Sequence, residues 1–353
     1  MSKYNFWLNS AEKLEAAVIE DFRKKAMNMP DDLSKEQVEA LSPELFQFIN
    51  NDFKEAERTG YSNYSYWGST IKMFLRNRIG VVAFIILLSM IGFAIIQQYL
   101  PGQLDPLFIH DDLTTFPPRF YRNVPPQFFD GQFFLGTNAI GQDLWARIWA
   151  GTRNSLVIGF SVAGLSMLIG IIFGMLWGYV RKLDFLFTEI YNVINNIPLI
   201  IILIIASMVF GASIPVLILA MTFSAWIAHA HNIRNLTLML RDREFNLASR
   251  CLGTGVFRVI IYNLLPQMIS VIMLRMALAV PLAITQEVFL SYLGLGISQS
   301  IPTLGNLLEM ARPVMRAHPY QLLFPATVLS IIAICFIVAG NAFSDSADPR
   351  NHV

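Results

Sequence analysis

The chain has 353 residues, 54% of them hydrophobic and 14% charged, with a mean hydropathy of +0.49; a soluble enzyme, with roughly 25% charged residues, does not look like this. Its 26 basic and 25 acidic side chains leave a net charge of +1, so no global field draws it to nucleic acid or to an acidic surface. Two cysteines, Cys251 and Cys335, fall in a predicted loop and a predicted span, which speaks against a disulfide framework or a zinc cluster.

Residues 1–70 hold 12 acidic and 8 basic side chains and no apolar run of signal-peptide length. Asn9 or Ser10 predicts a helix cap for a segment through about Met27, and Ser34 with Gln37 predicts a capping-box start to a second, ending before Pro43. Leu14, Val18 and Phe22 share one face of the first. The expected element is an N-terminal cytoplasmic helical extension lying on the membrane surface or on a partner.

From residue 71 to 350 the composition is that of a membrane domain. Spanning about 30 Å of hydrocarbon takes about 20 helical residues, and six runs qualify: roughly Ile79–Leu100, Ser155–Val180, Ile190–Phe210, Ser213–Ala228, Met268–Ser291 and Leu322–Phe343. The fourth is short and follows the third after Gly211–Ala212, which predicts a tight helical hairpin. With the N-terminus inside, eleven near-membrane basic residues face the cytoplasm: Lys72, Arg76, Arg78, Arg181, Lys182, Arg234, Arg241, Arg243, Arg250, Arg258 and Arg350. Six face outward: Arg119, Arg122, Arg147, Arg153, Arg312 and Arg316. Positively charged loops are retained inside, so both termini are expected in the cytoplasm.

The outer loop, about Pro101–Phe134, carries Pro117-Pro118, Pro125-Pro126, Phe128-Phe129 and Phe133-Phe134. Rigid and aromatic, it suits either contact with an external binding protein or rest at the membrane interface.

In the second span Ser166, Gly170, Gly174 and Gly178 recur every fourth residue. Such a stripe of small residues lets another helix approach closely, inside a bundle or at a subunit seam. The fifth span holds Arg275 and Glu287, and a charge at that depth normally faces protein or water. They lie about 18 Å apart and about a third of a turn out of phase, too far for an ion pair. Arg275 either snorkels to the cytoplasmic interface or lines a path, and Pro281 between them kinks the helix. These three residues are the candidate pore or gate. No proton relay, inverted repeat or Gly-Lys-Ser/Thr phosphate loop is visible, so an energy source must sit on another chain.

The cytoplasmic loop, about 229–266, contains Arg241-Asp-Arg-Glu-Phe-Asn-Leu-Ala-Ser-Arg-Cys-Leu-Gly253, then Thr254-Gly255 and Val256 to Pro266. It reads as a short helix, a glycine stop and a second helix entering the membrane. Asp242 and Glu244 suit the positive end of the short helix, Arg250 its negative end, and Gly253 the left-handed position after it. Phe245, Ala248 and Leu252 share a face beside Ser249, a shape that fits a groove on another protein.

This loop resembles the coupling-loop signature of ABC-type importer permeases: Glu-Ala-Ala, three residues, Gly, nine residues, Ile-x-Leu-Pro. Ala248, Ser249, Gly253 and Leu265-Pro266 match in type and spacing, while Leu247 stands at the glutamate, Ser249 at the second alanine and Asn263 at the isoleucine. Glu244, one turn earlier, offers a carboxylate in place of the missing one. Two further stretches resemble the C-type permease of dipeptide, oligopeptide and nickel importers. One is Leu135-Gly-Thr-Asn-Ala-Ile-Gly-Gln-Asp143 and the residues following it to Leu156. The other is Glu287 with Leu290-Ser-Tyr-Leu-Gly-Leu-Gly296 and Pro302-Thr-Leu-Gly-Asn306; Asp348-Pro349-Arg350 ends the chain similarly.

The resemblance implies an all-α, six-transmembrane-helix permease of the type I, MetI-like importer fold in the bacterial cytoplasmic membrane. It implies a homologous B-type permease completing a heterodimeric pore, two ATPase subunits carrying the ATP and Mg, an extracellular or periplasmic substrate-binding protein, and contact with membrane lipid. No cofactor sits on this chain and it performs no covalent chemistry. The ATPase contact implied is Glu244, Phe245, Leu247, Ala248, Ser249, Leu252 and Gly253. Within the resemblance Glu287 belongs to the general pattern and suits the outer gate or the fold, whereas Arg275 departs from a usually uncharged residue and is the better candidate for a substrate contact. Short peptides are the expected cargo; the rivals are a nickel or other small-solute importer of the same family and a membrane receptor or scaffold that moves nothing.

Overall fold

The computed structural model describes residues 66–111, 119–128 and 132–347. The two helices expected between Asn9 and Pro43, together with Pro117-Pro118, Phe129 and Asp348-Pro349-Arg350, lie outside the described residues. In chain order the helices are α1 Tyr66–Arg76, α2 Arg78–Ile96, α3 Leu144–Tyr179, α4 Arg181–Asn195, α5 Leu199–Phe210, α6 Ile214–Arg241, α7 Glu244–Cys251, α8 Val256–Tyr292, α9 Leu304–Ala311 and α10 Tyr320–Ala347. Five of them, α2, α3, α6, α8 and α10, are long and apolar enough to cross a membrane.

The helices depart from three expected boundaries. The helix that holds the second expected span begins at Leu144, ahead of Ser155. Trp145, Arg147, Trp149 and Arg153 interrupt the apolar run without breaking the helix, which starts where the Asp143 carboxylate accepts from the Ala146 N–H at 2.8 Å. The third span is two helices, α4 and α5, bent by 79°. Pro198 has no N–H to donate and pushes the residue before it out of helical geometry, so the chain turns at Asn196–Pro198. At 12 residues α5 is about 18 Å long and cannot cross alone. The helix that holds the fourth expected span does not stop at Ala228 but runs through His229, His231, Asn232 and Arg234 to Arg241. Polarity ended the hydropathy signal there, not the helix, and the segment between α6 and α8 is 242–255.

The bundle is organised by close approach of α3 and α6. A Cβ added to Gly170 would lie 2.7 Å from His229 Cβ, one on Gly174 2.5 Å from the Ala230 carbonyl oxygen, and one on Gly178 2.7 Å from Thr237 Cβ. Ser166 is fully buried, its hydroxyl donating to the Val162 carbonyl at 2.6 Å. The small-residue stripe therefore packs within this chain. Its lower end is tied by Arg241 Nη1, which donates to the Gly178 carbonyl at 2.9 Å. On the other side of α3 a core of Leu156, Val280, Ile284, Leu304, Phe336 and Ala339 joins α8, α9 and α10.

The outer loop folds onto the helix ends. Gly136 has φ of +82°, and a Cβ there would lie 2.3 Å from the Val124 carbonyl, so the Leu-Gly-Thr motif needs its glycine. Tyr320 Oη donates to that carbonyl at 2.9 Å and Gln321 Nε2 donates to the Thr137 carbonyl at 3.1 Å. The aromatic residues divide: Phe133 is buried against His110 and Tyr121, whereas Phe134 is 40% exposed beside Trp145. Burial pushes the Asp143 carboxyl up to about 6 despite the donors at Trp145 and Ala146.

Candidate functional site

The helix α7 stands clear of the bundle. Its first turn carries Glu244 on the positive end of the helix. Its end is set by Gly253 at φ +78°, with the Leu252 N–H bonded to the Ala248 carbonyl and the Thr254 N–H to the Ser249 carbonyl. Phe245, Leu247 and Leu252 are 41%, 44% and 87% exposed, and Glu244 and Ala248 are exposed with them. Around them Val256, Phe257, Ile261 and Tyr262 of α8 are exposed too. Exposed apolar surface of this kind marks a contact with another protein or with lipid.

What aims α7 is a buried polar latch. Asn246 is fully buried and its Nδ2 donates to the Leu240 carbonyl at 2.8 Å. From the first turns of α8, Asn263 Nδ2 donates to Ser249 Oγ at 2.9 Å and to Asn246 Oδ1 at 3.3 Å, while the Ser249 hydroxyl donates to the Phe245 carbonyl at 3.0 Å. Ser249 thus faces α8, and Phe245, Ala248 and Leu252 face away. Ser249 and Asn263, two of the three departures from the permease signature, are hydrogen-bonded to each other. Asn246 and Asn263 were not among the candidate residues; the readable signal was two polar substitutions at apolar positions of one motif. A double-mutant cycle on Ser249→Ala and Asn263→Ile is expected to show coupling of about 1 kcal/mol; thermal melting of the two single variants and the double one measures it, and additive effects mean there is no latch.

Around α7 the charges are compensated locally. Arg241 Nη2 lies 3.2 Å and Arg250 Nη1 3.9 Å from the Asp242 carboxylate. The hydrogen bond from Arg241 leads in holding Asp242 below the usual carboxylate range. Between α4 and α6, Arg234 meets Asp184 at 2.6 Å, and Trp177 Nε1 donates to the same carboxylate at 2.9 Å. The ends of α3, α4 and α6 are thereby joined beside α7.

The candidates in the fifth span separate. Glu287 is fully buried. It accepts from Ser155 Oγ of α3 and from Ser291 Oγ, each at 3.0 Å, and from the Thr303 hydroxyl at the start of α9. Ser155 Oγ in turn accepts the Leu304 N–H at 3.1 Å. The side chain thus ties together α3, α8 and the start of α9. Glu287→Ala is expected to cost about 2–4 kcal/mol through the cavity and the orphaned hydroxyls, and Glu287→Gln about 1, since the hydroxyls can turn to meet an amide. Melting temperatures of the two variants in detergent decide this; equal losses would place the weight on the charge. Pro281 is buried in the middle of α8. Arg275 is a partly exposed side chain near the middle of that 37-residue helix.

Comparison with known proteins places this architecture. Residues 166–353 match the family model described as the binding-protein-dependent transport system inner membrane component, and residues 65–126 match the N-terminal transmembrane domain of oligopeptide transport permease C. The oligopeptide transport system permease protein AmiD of Streptococcus pneumoniae is 33% identical over 88% of this chain and 99% of its own length. The dipeptide transport system permease protein DppC of Bacillus subtilis is 30% identical over 92% of this chain and 99% of its own. A solved inward-facing structure of the MetNI methionine ABC transporter aligns over 58% of this chain and 95% of that one, at 19% identity and a TM-score of 0.46. An all-helical membrane domain, the permease loop signature and matches running nearly the full length of the relatives converge: the chain belongs to the family of binding-protein-dependent transport system inner membrane components.

Proposed function

We propose that this chain is one half of a heterodimeric pore for short peptides, paired with a homologous B-type permease and driven by two ATPase subunits that bind ATP and Mg. It carries no catalytic group of its own; its work is mechanical. The observation that carries the reading is α7, an exposed apolar helix (Phe245, Leu247, Ala248, Leu252) held in one orientation by the Asn246–Ser249–Asn263 latch. An ATPase groove gripping that face, with Glu244 at its rim, pulls on α6 through Asn246 and on α8 through Asn263. The glycine seam and the Arg241–Gly178 bond couple α6 to α3. A closing of the ATPases is thus passed to packed helices as a rigid-body movement between inward and outward access. The cluster of eleven near-membrane basic residues on the side of α7 supports a cytoplasmic position for α7 and both termini. The outer loop, braced by Tyr320 and Gln321, then faces the binding protein that delivers cargo. Peptides are the cargo because the relatives named above are oligopeptide and dipeptide permeases.

The test is ATP hydrolysis by the complete complex in lipid vesicles, with binding protein and peptide added or omitted. Stimulation by peptide is the expected result. An intact complex stimulated by a nickel chelate or another small solute but by no peptide overturns the cargo while leaving the permease role in place; hydrolysis indifferent to every solute points to a receptor or scaffold.

A further inference from the structure

Along α8 and at the residue that caps it, Arg275, Leu282, Gln286, Phe289 and Leu293 follow at intervals of seven, four, three and four. Those spacings put them within an arc of about 60° around the helix. Leu282, Phe289 and Leu293 are 63%, 55% and 43% exposed, and Gln286 is exposed with them. The stripe is therefore uncovered by the rest of the chain, yet it is not made for lipid: it begins with a guanidinium and carries an amide at membrane depth.

Arg275 lacks what a buried cation needs. It forms no ion pair among the described residues, and its Nε is shut off from solvent with no hydrogen-bond acceptor. Arg275 lies about 10 Å inside the Met268 end of the expected span, and its buried Nε holds the base of the guanidinium within the membrane segment. From α6, His229, whose Cβ packs against Gly170, supplies no anion. A guanidinium so placed, with one N–H already desolvated, is prepared for a carboxylate that arrives from elsewhere.

We propose that this stripe is the cargo-facing surface of the pore and that Arg275 holds the terminal carboxylate of the transported peptide. Arg275 and Gln286 are separated by about 16 Å along α8, the length of roughly five extended residues. Gln286 offers a donor and an acceptor for a peptide bond, and Leu282 and Phe289 between and beyond them offer apolar contact for side chains. This assignment rests on the peptide-import reading.

The experiment compares uptake of one pentapeptide as the free acid and as the C-terminal amide, each at saturating binding protein, by vesicles holding wild type, Arg275→Gln or Arg275→Lys complexes. In wild type the acid is preferred. Arg275→Gln is expected to slow the acid roughly tenfold and the amide little, erasing the preference, while Arg275→Lys keeps most of it. Equal slowing of both peptides by Arg275→Gln overturns the assignment and leaves peptide import standing. Loss of the second permease from the purified Arg275→Gln complex overturns it too, by making Arg275 a tie between subunits. A wild-type complex that imports neither peptide overturns the cargo reading and this assignment together.

Discussion

Gly174→Val is expected to leave almost no folded chain in the membrane. A Cβ at Gly174 would sit 2.5 Å from the Ala230 carbonyl oxygen, 2.8 Å from Ile233 Cβ and 3.0 Å from Ala230 Cα. Two of these are backbone atoms, so no side-chain rotation relieves the contact, and α3 and α6 must move apart. Separation at Gly174 also opens the seams at Gly170 and Gly178 and breaks the Arg241–Gly178 bond. Overpacking alone costs about 1–3 kcal/mol, and the lost helix contacts in lipid add to it, because nothing else drives the two helices together. Gly164→Val is the control. It lies on the same helix with nothing within 4 Å of an added Cβ, and it is expected to behave as wild type. The measurement is the fraction of monodisperse chain recovered by size exclusion after mild detergent extraction. Recovery of Gly174→Val equal to that of Gly164→Val would mean that the seam yields, and that the α3–α6 pair is not the rigid unit through which coupling is proposed to travel.

The long apolar runs made the membrane class and the positions of α2, α8 and α10 legible, because hydrocarbon demands continuous apolar sequence whatever the tertiary contacts. Where a helix outlasts its apolar stretch the same signal fails. The first turns of α3 carry Trp145, Arg147 and Trp149, and the last turns of α6 carry His229, His231 and Arg234; both are helical because no proline or glycine breaker interrupts them, and some of their polar groups find partners on neighbouring elements. Arg234, for instance, meets Asp184. At the third span the reverse happened: Pro198 was visible in an apolar run, and its power to turn the chain by 79° outweighed hydropathy. The α7 helix and its glycine stop could be read from capping chemistry alone. The latch could not, since Asn263 lies 17 and 14 residues beyond Asn246 and Ser249 and meets them only when α8 folds back beneath α7. Glu287 shows the limit for single residues: a carboxylate in a span signals either function or structure, and its three hydroxyl partners lie on α3, on α8 and at the start of α9.

Ala248→Arg is expected to abolish cargo-stimulated ATP hydrolysis while the chain remains folded. Ala248 is exposed on α7 between Phe245 and Leu252, and makes no side-chain contact on which the bundle depends. Arginine is nearly as good a helix former as alanine, so α7 and its latch should survive, and the melting curve of the permease pair should match wild type. In an ATPase groove shaped for a methyl group, however, the long cationic side chain must either be desolvated without a partner, at a cost of several kcal/mol, or hold the two surfaces apart. Either outcome weakens docking by tenfold or more, on the order of a hot-spot loss at an interface. Glu244→Gln separates the electrostatic part. Glu244 is exposed at the helix start, where a rim charge contributes about 0–1 kcal/mol, so it should lower the salt sensitivity of docking and leave stimulated hydrolysis nearly intact. Hydrolysis with and without peptide, read beside the amount of ATPase retained on the purified permease, gives both quantities. Full stimulation by the Ala248→Arg complex would put the ATPase contact elsewhere on the cytoplasmic face and leave α7 a stabilising brace for the entry of α8. Loss of stimulation with the ATPases still bound would locate the defect in transmission rather than in grip, and the Asn246–Ser249–Asn263 latch would then be the part of the loop through which the motion passes.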